Sequence, residues 1–346
     1  MTISLFDPRS MARALMEMPP ARAFLTRMFF DGVGIKHSSE HIDVDIQTGV
    51  RRAAPYTSPA GPGKAVDRIG FTTHTFRSPM VAPKMALTVP DLQSRLPGEH
   101  IYSGADANSR AKALLGKDLG TLDDMIVRRI EIMVRDGLVD GEIDVLGDDV
   151  DYTITFPPRD ATLIIGTLAA ADRWSAAGTS DPIKNLRAWR RAIQALTGLT
   201  ADVCILGSDA VDALLANAAV QALLDNRRMD LGQLKPELMD SGATFVGRLG
   251  GVDLWGYDEL DPDGNPLIAV KTILMGSTAA RCEVHYGAVG VATGEGNDAR
   301  IALVPAERVP ESWVTKEPPV RQLKVSSRPL PIPIQNNGFL TAQVLA

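Results

Sequence analysis

Phe71-Thr72-Thr73-His74-Thr75-Phe76-Arg77 alternates side chains of two kinds, and it lies in a segment, residues 47–90, unlike the rest of the chain. Six prolines (55, 59, 62, 79, 83 and 90) and four glycines (49, 61, 63 and 70) punctuate that segment. Alternation between turn residues reads as a long β-hairpin. Its apolar content is too small for a core of its own. An extended hairpin without a core rests on something else, often another chain.

Upstream, residues 10–30 carry a short apolar stripe at helical spacing: Met11, Leu15 and Met18, then Phe24, Met28 and Phe29, interrupted by Pro19-Pro20. This reads as an arm with a brief amphipathic helix, too short to be stable alone. Downstream, Leu115, Leu119, Leu122, Ile126, Ile130 and Met133 recur every three or four residues and predict a long helix over about 105–139. Asp123, Asp124, Arg128, Arg129, Glu131 and Arg135 lie largely off that stripe, and Gly116 and Gly120 weaken its first half.

Further on, Tyr152–Phe156 reads as a strand. Asp181-Pro182 opens a helix over 181–200 whose face is Leu186, Trp189, Ile193 and Leu196. Val203–Leu206 suits a buried strand, followed by one helix over Val211–Leu224. Strands are expected near 244–246, 252–255, 267–270 and 273–275, with Asp263-Gly264 as a hairpin turn. Strands return at 301–304, 320–325 and 339–345, with Pro329, Pro331 and Pro333 as an extended link. Arm, hairpin, long helix, mixed block and returning strands make an α+β chain of extended outline.

Length and charge bound the function. The 346 residues are 45% hydrophobic and 23% charged, with a net charge of −6, so a sizeable core forms and no basic nucleic-acid grip is present. Two cysteines make no disulfide framework and suit a reducing cytosol. No secretory leader or run of membrane-spanning length is legible, so a cytoplasmic site of synthesis is expected.

Enzyme signatures are weak. No phosphate loop or nucleophile elbow occurs, and Gly294-Glu295-Gly296 is too short for a dinucleotide fingerprint. Cys282-x-x-His285 has metal-ligand spacing, but the other histidines (37, 41, 74 and 100) are distant in sequence, and a plain strand accounts for the pair. Asp261-x-Asp263-Gly264 lacks the closing Glu of a calcium loop and reads as a turn. Cys204 reads as a structural thiol. No catalytic, metal or cofactor residue is assigned. The basic pairs Arg51-Arg52, Arg128-Arg129, Arg190-Arg191 and Arg227-Arg228 are solvated surface or inter-subunit salt bridges.

The hairpin is also where the chain resembles a known family. Tyr56, Ser58, Pro59, Gly63 and Gly70, closed by Pro83-Lys84, are similar to the phage major capsid protein E family, the lambda type. Phe24-Leu25 with Phe29-Phe30 matches that family's F-L-x-x-x-F-F. So do Asp225-x-Arg227-Arg228, Gly276-x-Thr278-x-Ala280-Arg281 with Tyr286-Gly287, and Trp313-Val314-Thr315 ahead of Pro319 and Arg321. The patches are collinear to Gln343-Val344-Leu345-Ala346, whereas residues 90–160 depart from the pattern.

The resemblance implies a Hong Kong 97-type capsid fold. Its parts would be an N-terminal arm (1–46), an extended loop (47–90), a peripheral domain with a spine helix (91–180), an axial domain (181–295) and return strands of the peripheral domain (296–346). It implies hexamers and pentamers closing into an icosahedral shell around double-stranded DNA, held non-specifically, in a virion assembled in the host cytoplasm. Portal and cementing proteins are implied as partners. A separate scaffolding protein is expected, because no long charged helical segment precedes the arm. Inter-subunit contacts are expected at Arg51, Arg52, Tyr56, Pro59, Lys64, Arg68, Arg77, Lys84, Arg227, Arg228 and Trp313, and spine-helix bending at Gly116 and Gly120. Deleting residues 57–82 is expected to leave a subunit that makes no shells. Two other readings stand beside this one: a nanocompartment (encapsulin-like) shell of the same fold, and an α+β enzyme with a polar pocket.

Overall fold

The computed structural model describes residues 7–18, 23–46, 53–54, 56–57, 63–68, 70–94, 107–147, 149–176, 178–225, 232–238, 242–293, 300–315, 317 and 319–346. A mixed seven-stranded sheet lies at its centre, in the spatial order Ile164–Thr167, Phe339–Gln343, Thr272–Gly276, Val203–Leu206, Val252–Tyr257, Ala243–Leu249, Gly232–Leu238. All four residues of Val203–Leu206 are buried because both faces of the sheet are covered. Val203 and Ile205 face one core, and Cys204 and Leu206 the other.

The second core is closed by the helix Pro182–Thr197, whose Leu186, Trp189 and Ile193 are buried. Asp181 caps it by accepting from the Ile183 and Lys184 amides. The helix expected over Val211–Leu224 is two, Ser208–Ala216 and Ala218–Asp225. Asn217 divides them: its buried amide donates to the Trp174 carbonyl and the Ser180 hydroxyl, and its side-chain oxygen accepts from the Ala219 amide. Leu267–Val270 is a loop with Leu267 and Ile268 turned inward, not a strand.

The first core is built on the helix Ala107–Val139, which runs unbroken through Gly116 and Gly120. Leu115, Leu119, Leu122, Ile126, Ile130 and Met133 are all buried, so packing outweighs the two glycines. Against this helix lie the helices Pro8–Glu17 and Phe24–Phe29 and the strands Val320–Ser326 and Pro329–Pro333. The prolines at 329, 331 and 333 belong to a strand rather than a link, paired antiparallel with Cys282–Tyr286. Their period of two places all three missing donors on one side of an edge strand, where no ladder bond is lost.

The hairpin differs from expectation in two respects. Its paired stem is His41–Ile46 with Thr72–Arg77, so one strand lies upstream of residue 47. Lys84–Thr88 leaves the hairpin and joins Val320–Ser326 in a separate three-stranded sheet with Val309–Thr315. Pro79 and Pro83, without amide donors, fall in the turn between the two. Ile42, Val44 and Phe76 anchor the stem in the first core. A deletion of 57–82 therefore removes a core strand as well as the loop, and cannot separate the two roles.

Candidate assembly surfaces

Two ribbons stand side by side at the end of the long helix. In the stem, Thr73 and Thr75 donate across the strands to Asp45 and Asp43, at 2.6 and 2.5 Å, on the solvent side. The second ribbon, Glu142–Gly147 with Val150–Thr155, repeats the device where Thr153 donates to Asp144 at 2.6 Å. Phe76 meets Phe156 with ring centroids 5.6 Å apart, and the Arg77 guanidinium lies 5.4 Å from the centre of the Tyr152 ring.

Beyond the stem the described side chains face solvent. Tyr56 is 99% exposed, Phe71 66% and Val66 58%, and Lys64 and Arg68 are exposed beside them. Aromatic and branched apolar groups left in water within one chain point to burial by another. Of the other expected contact residues, Arg51, Arg52, Pro59, Arg227 and Arg228 lie outside the described residues. Lys84 is exposed on an edge strand opposite Lys324. Trp313 is 42% exposed, with the Lys324 ammonium 5.9 Å from its ring centre. Arg77 is partly engaged at home, 4.0 Å from Glu40. Arg190 turns onto its own chain and donates to the Gly250 carbonyl.

Glu131, off the helix's apolar stripe, is nonetheless buried. Its carboxylate accepts from the Leu25 amide at 2.6 Å, the Thr26 amide at 3.0 Å, the Thr26 hydroxyl at 2.6 Å and the Tyr257 hydroxyl at 3.1 Å. Ala23, the N-cap of Phe24–Phe29, has no side-chain oxygen, so Glu131 does the capping from the long helix. Burial, and next the Glu131 charge, push the Tyr257 phenol far above its ordinary value. One carboxylate thereby ties arm, long helix and central sheet together. Arg308 adds a tie from the returning chain to Asp123 at 2.6 Å.

A groove of about 390 Å³ opens between the second ribbon, residues 79–83 and the long helix. Met80, Met125 and Leu146 are among its walls. Asp136 is pushed up to about 6, first by burial, against the pull of Arg135 and with help from Asp140 and Asp144. A folded pKa raised above the unfolded one costs stability as pH rises from about 4 through 6. Asp136→Asn is expected to stabilise the subunit by about 2 kcal/mol at pH 8 and by little at pH 4. Urea unfolding at the two pH values checks this; an equal gain at both refutes it.

The suspected chemical sites resolve differently. His37 comes up to His285, Nε2 to Nδ1 at 2.9 Å, a neighbour that sequence distance hid. Burial first, then the His37 charge, lower the His285 pKa. Among the described residues no three metal-ligating side chains are grouped. Cys282 is pushed up to about 12 by burial and the Glu283 charge, and burial raises Cys204 further, so neither thiol is poised as a nucleophile. Asp261 accepts from the Asp263 and Asn265 amides in a turn with Gly264 at φ 84°. Among the described residues no helix is long and apolar enough to cross a membrane.

Two motif glycines have steric reasons. A Cβ on Gly276 would sit 2.6 Å from the Phe339 ring, which makes an edge contact with Phe29 at 5.0 Å. A Cβ on Gly287 would collide with the Ser78 hydroxyl just past the stem.

Comparison with known proteins agrees with this architecture. The chain is 24% identical over 318 residues to the major capsid protein of Enterobacteria phage phi80, covering 89% of this chain and 90% of that one. It is 23% identical over 304 residues to the major capsid protein of Escherichia phage lambda, covering 86% of each. The fold matches a capsid protein of a prophage in E. coli CFT073 with a TM-score of 0.67 at 18% identity, over 97% of this chain and 96% of that one. A phage-related protein of Bordetella bronchiseptica RB50 matches with a TM-score of 0.57 at 11% identity, over 98% and 97%. The model of the family described as phage major capsid protein E matches residues 7–344. The chain therefore belongs to the phage major capsid protein E family and is a major capsid protein of a tailed phage or prophage.

Proposed function

We propose that this chain builds hexamers and pentamers that close into an icosahedral shell around double-stranded DNA, and that its role is structural rather than catalytic. The observation that supports this most is the stem anchored in its own core with Tyr56, Val66 and Phe71 held out in solvent. In the assembled particle, the extended loop is the hairpin carried on the stem His41–Ile46/Thr72–Arg77, and Ala107–Val139 is the spine helix. Residues 181–295 make up most of the axial domain, joined in its sheet by Ile164–Thr167 and Phe339–Gln343; the rest of 91–180 and 296–346 forms the peripheral domain, and the residues ahead of the stem are the arm. A net charge of −6 keeps the inner surface from gripping the genome, whose contacts are non-specific. A scaffolding protein, a portal and a cementing protein complete the particle, which assembles in the host cytoplasm. Negative-stain microscopy and sedimentation of the chain produced with its scaffold test the proposal. Shells or capsomers are expected; a monomer under every condition that assembles its relatives overturns it.

Shell expansion in this reading bends the spine helix at its glycines. A Cβ on Gly116 meets nothing within 4 Å, and one on Gly120 meets only the Met18 sulfur at 3.7 Å. Gly116→Ala with Gly120→Ala is therefore expected to stabilise the unexpanded subunit by about 1 kcal/mol per site. It should also slow expansion, followed by time-resolved scattering; an unchanged expansion rate in the stabilised variant rules out bending there.

A further inference from the structure

We propose that His37 and His285 form a proton-operated latch, which holds the connector between the helix Phe24–Phe29 and the stem against the strand Cys282–Tyr286 and releases it when both rings are charged.

The connector has few other ties. Ile35 and Lys36 pair with the strand, in parallel register opposite His285 and Tyr286, and the His37 amide donates to the Tyr286 carbonyl at 2.8 Å. Gly34 lies so close to the Tyr286 ring that a Cβ there would collide with it. Lys36 reaches Glu307 at 3.2 Å, with both side chains nearly half exposed. Val33 and Ile35 face water. Both ends are fixed by separate contacts. Glu131 caps the helix upstream. Downstream, the Ala288 amide donates to the Ser39 carbonyl, and Arg328 pairs with Glu40 at 2.9 Å. Opening therefore stays local, to residues 31–38.

The two rings carry the switch. His37 Nε2 lies 2.9 Å from His285 Nδ1, with ring centres 5.1 Å apart. His285 is 4% exposed and His37 is half-buried. On the far side of the His285 ring, Nε2 faces the Glu283 carboxylate at 3.4 Å, and Arg281 holds that carboxylate at 2.7 Å. Glu283 sets the proton of a neutral His285 on Nε2, so Nδ1 accepts and His37 donates. The strand on the other flank, Pro329–Pro333, places Leu330 opposite His285 and carries no charged residue. One added proton, on the outer nitrogen of His37, leaves the bond intact. A second, on Nδ1 of His285, sets two N–H groups head to head and parts the rings. Burial first, then the His37 charge, resist that second proton, with Arg281 on the same side and Glu283 opposing them.

The sign follows from linkage. A buried histidine that resists protonation binds fewer protons docked than free. The latch is therefore strongest above the ordinary histidine value of about 6.5 and weakens as pH falls below it. Opening bares one edge of Cys282–Tyr286, whose other edge stays paired with Pro329–Pro333. The connector is thus seated at neutral pH and free in acid, while the arm helix and the stem remain in the core.

Amide hydrogen exchange of the full chain, corrected for the intrinsic effect of pH, tests this at about pH 7.5 and about pH 5. Protection of residues 35–37 is expected to fall at least about tenfold in acid, with Ile42 and Val44 of the stem unchanged. His37→Gln keeps a donor for His285 but takes up no proton, and its protection is expected to be the same at both pH values. His41→Gln removes the exposed histidine at the start of the stem and is expected to behave as the unaltered chain does. Protection in the unaltered chain that does not change with pH overturns the latch. An equal acid loss in His37→Gln also overturns it, because the sensor would then lie in the carboxylates nearby. If His37→Gln is open at both pH values, His285→Asn decides, since its amide oxygen stands near the Nδ1 position. A docked connector at both pH values in that variant supports the latch, and any other result overturns it.

Discussion

Replacing residues 50–69 with a short Gly-Ser linker is expected to leave a folded subunit that makes no shells at all. The stem survives the change: its last pair is Ile46 with Thr72, and Ile42, Val44 and Phe76 stay in the core. What is lost is Tyr56, Val66, Lys64 and Arg68, which are exposed in the single chain and so contribute little to its stability. Shells draw their strength from many contacts per subunit, and this limb supplies one from every copy. Circular dichroism and urea unfolding should be nearly unchanged, while electron microscopy shows no closed particles. Intact shells from the folded variant would remove the loop's role.

Glu131→Ala is the second large effect, and it acts on the subunit itself. The substitution strands two backbone amides and two hydroxyls in a buried site, each costing about 1–3 kcal/mol when left unmet. Some relaxation is expected, so the net loss should be roughly 3–5 kcal/mol. The helix Phe24–Phe29 has no cap of its own and should lose amide-exchange protection first. Glu131→Gln keeps the shape and one accepting oxygen and should cost about half as much. Urea unfolding and hydrogen exchange of residues 24–29 measure both; a loss below about 1 kcal/mol for the alanine variant would show that water replaces the carboxylate.

The long helix was legible because its buried positions repeat at 3.6 residues, and Val203–Leu206 because a strand covered on both faces is apolar throughout. Glu131 was not, although a signal existed. Val127, Val134 and Leu138 lie four residues before it and three and seven after it, a second apolar row on the same helix. A glutamate in that row is a buried group awaiting donors. The stem's first strand was legible in kind but misassigned: His41–Ile46 alternates without a break, yet the prolines that drew the boundary begin only later. The proline-rich strand at 329–333 defeats propensity, because only the fold reveals that its donor-poor side faces no partner.

The place of Phe339–Gln343 sets a timetable for synthesis. This strand lies between Ile164–Thr167 and Thr272–Gly276, so the central sheet has a gap until those residues emerge from the ribosome. Until then two strand edges are bare, and such pairings, far apart along the polypeptide, close slowly. A nascent chain therefore cannot offer neighbours a finished central sheet before residues 339–343 have been made.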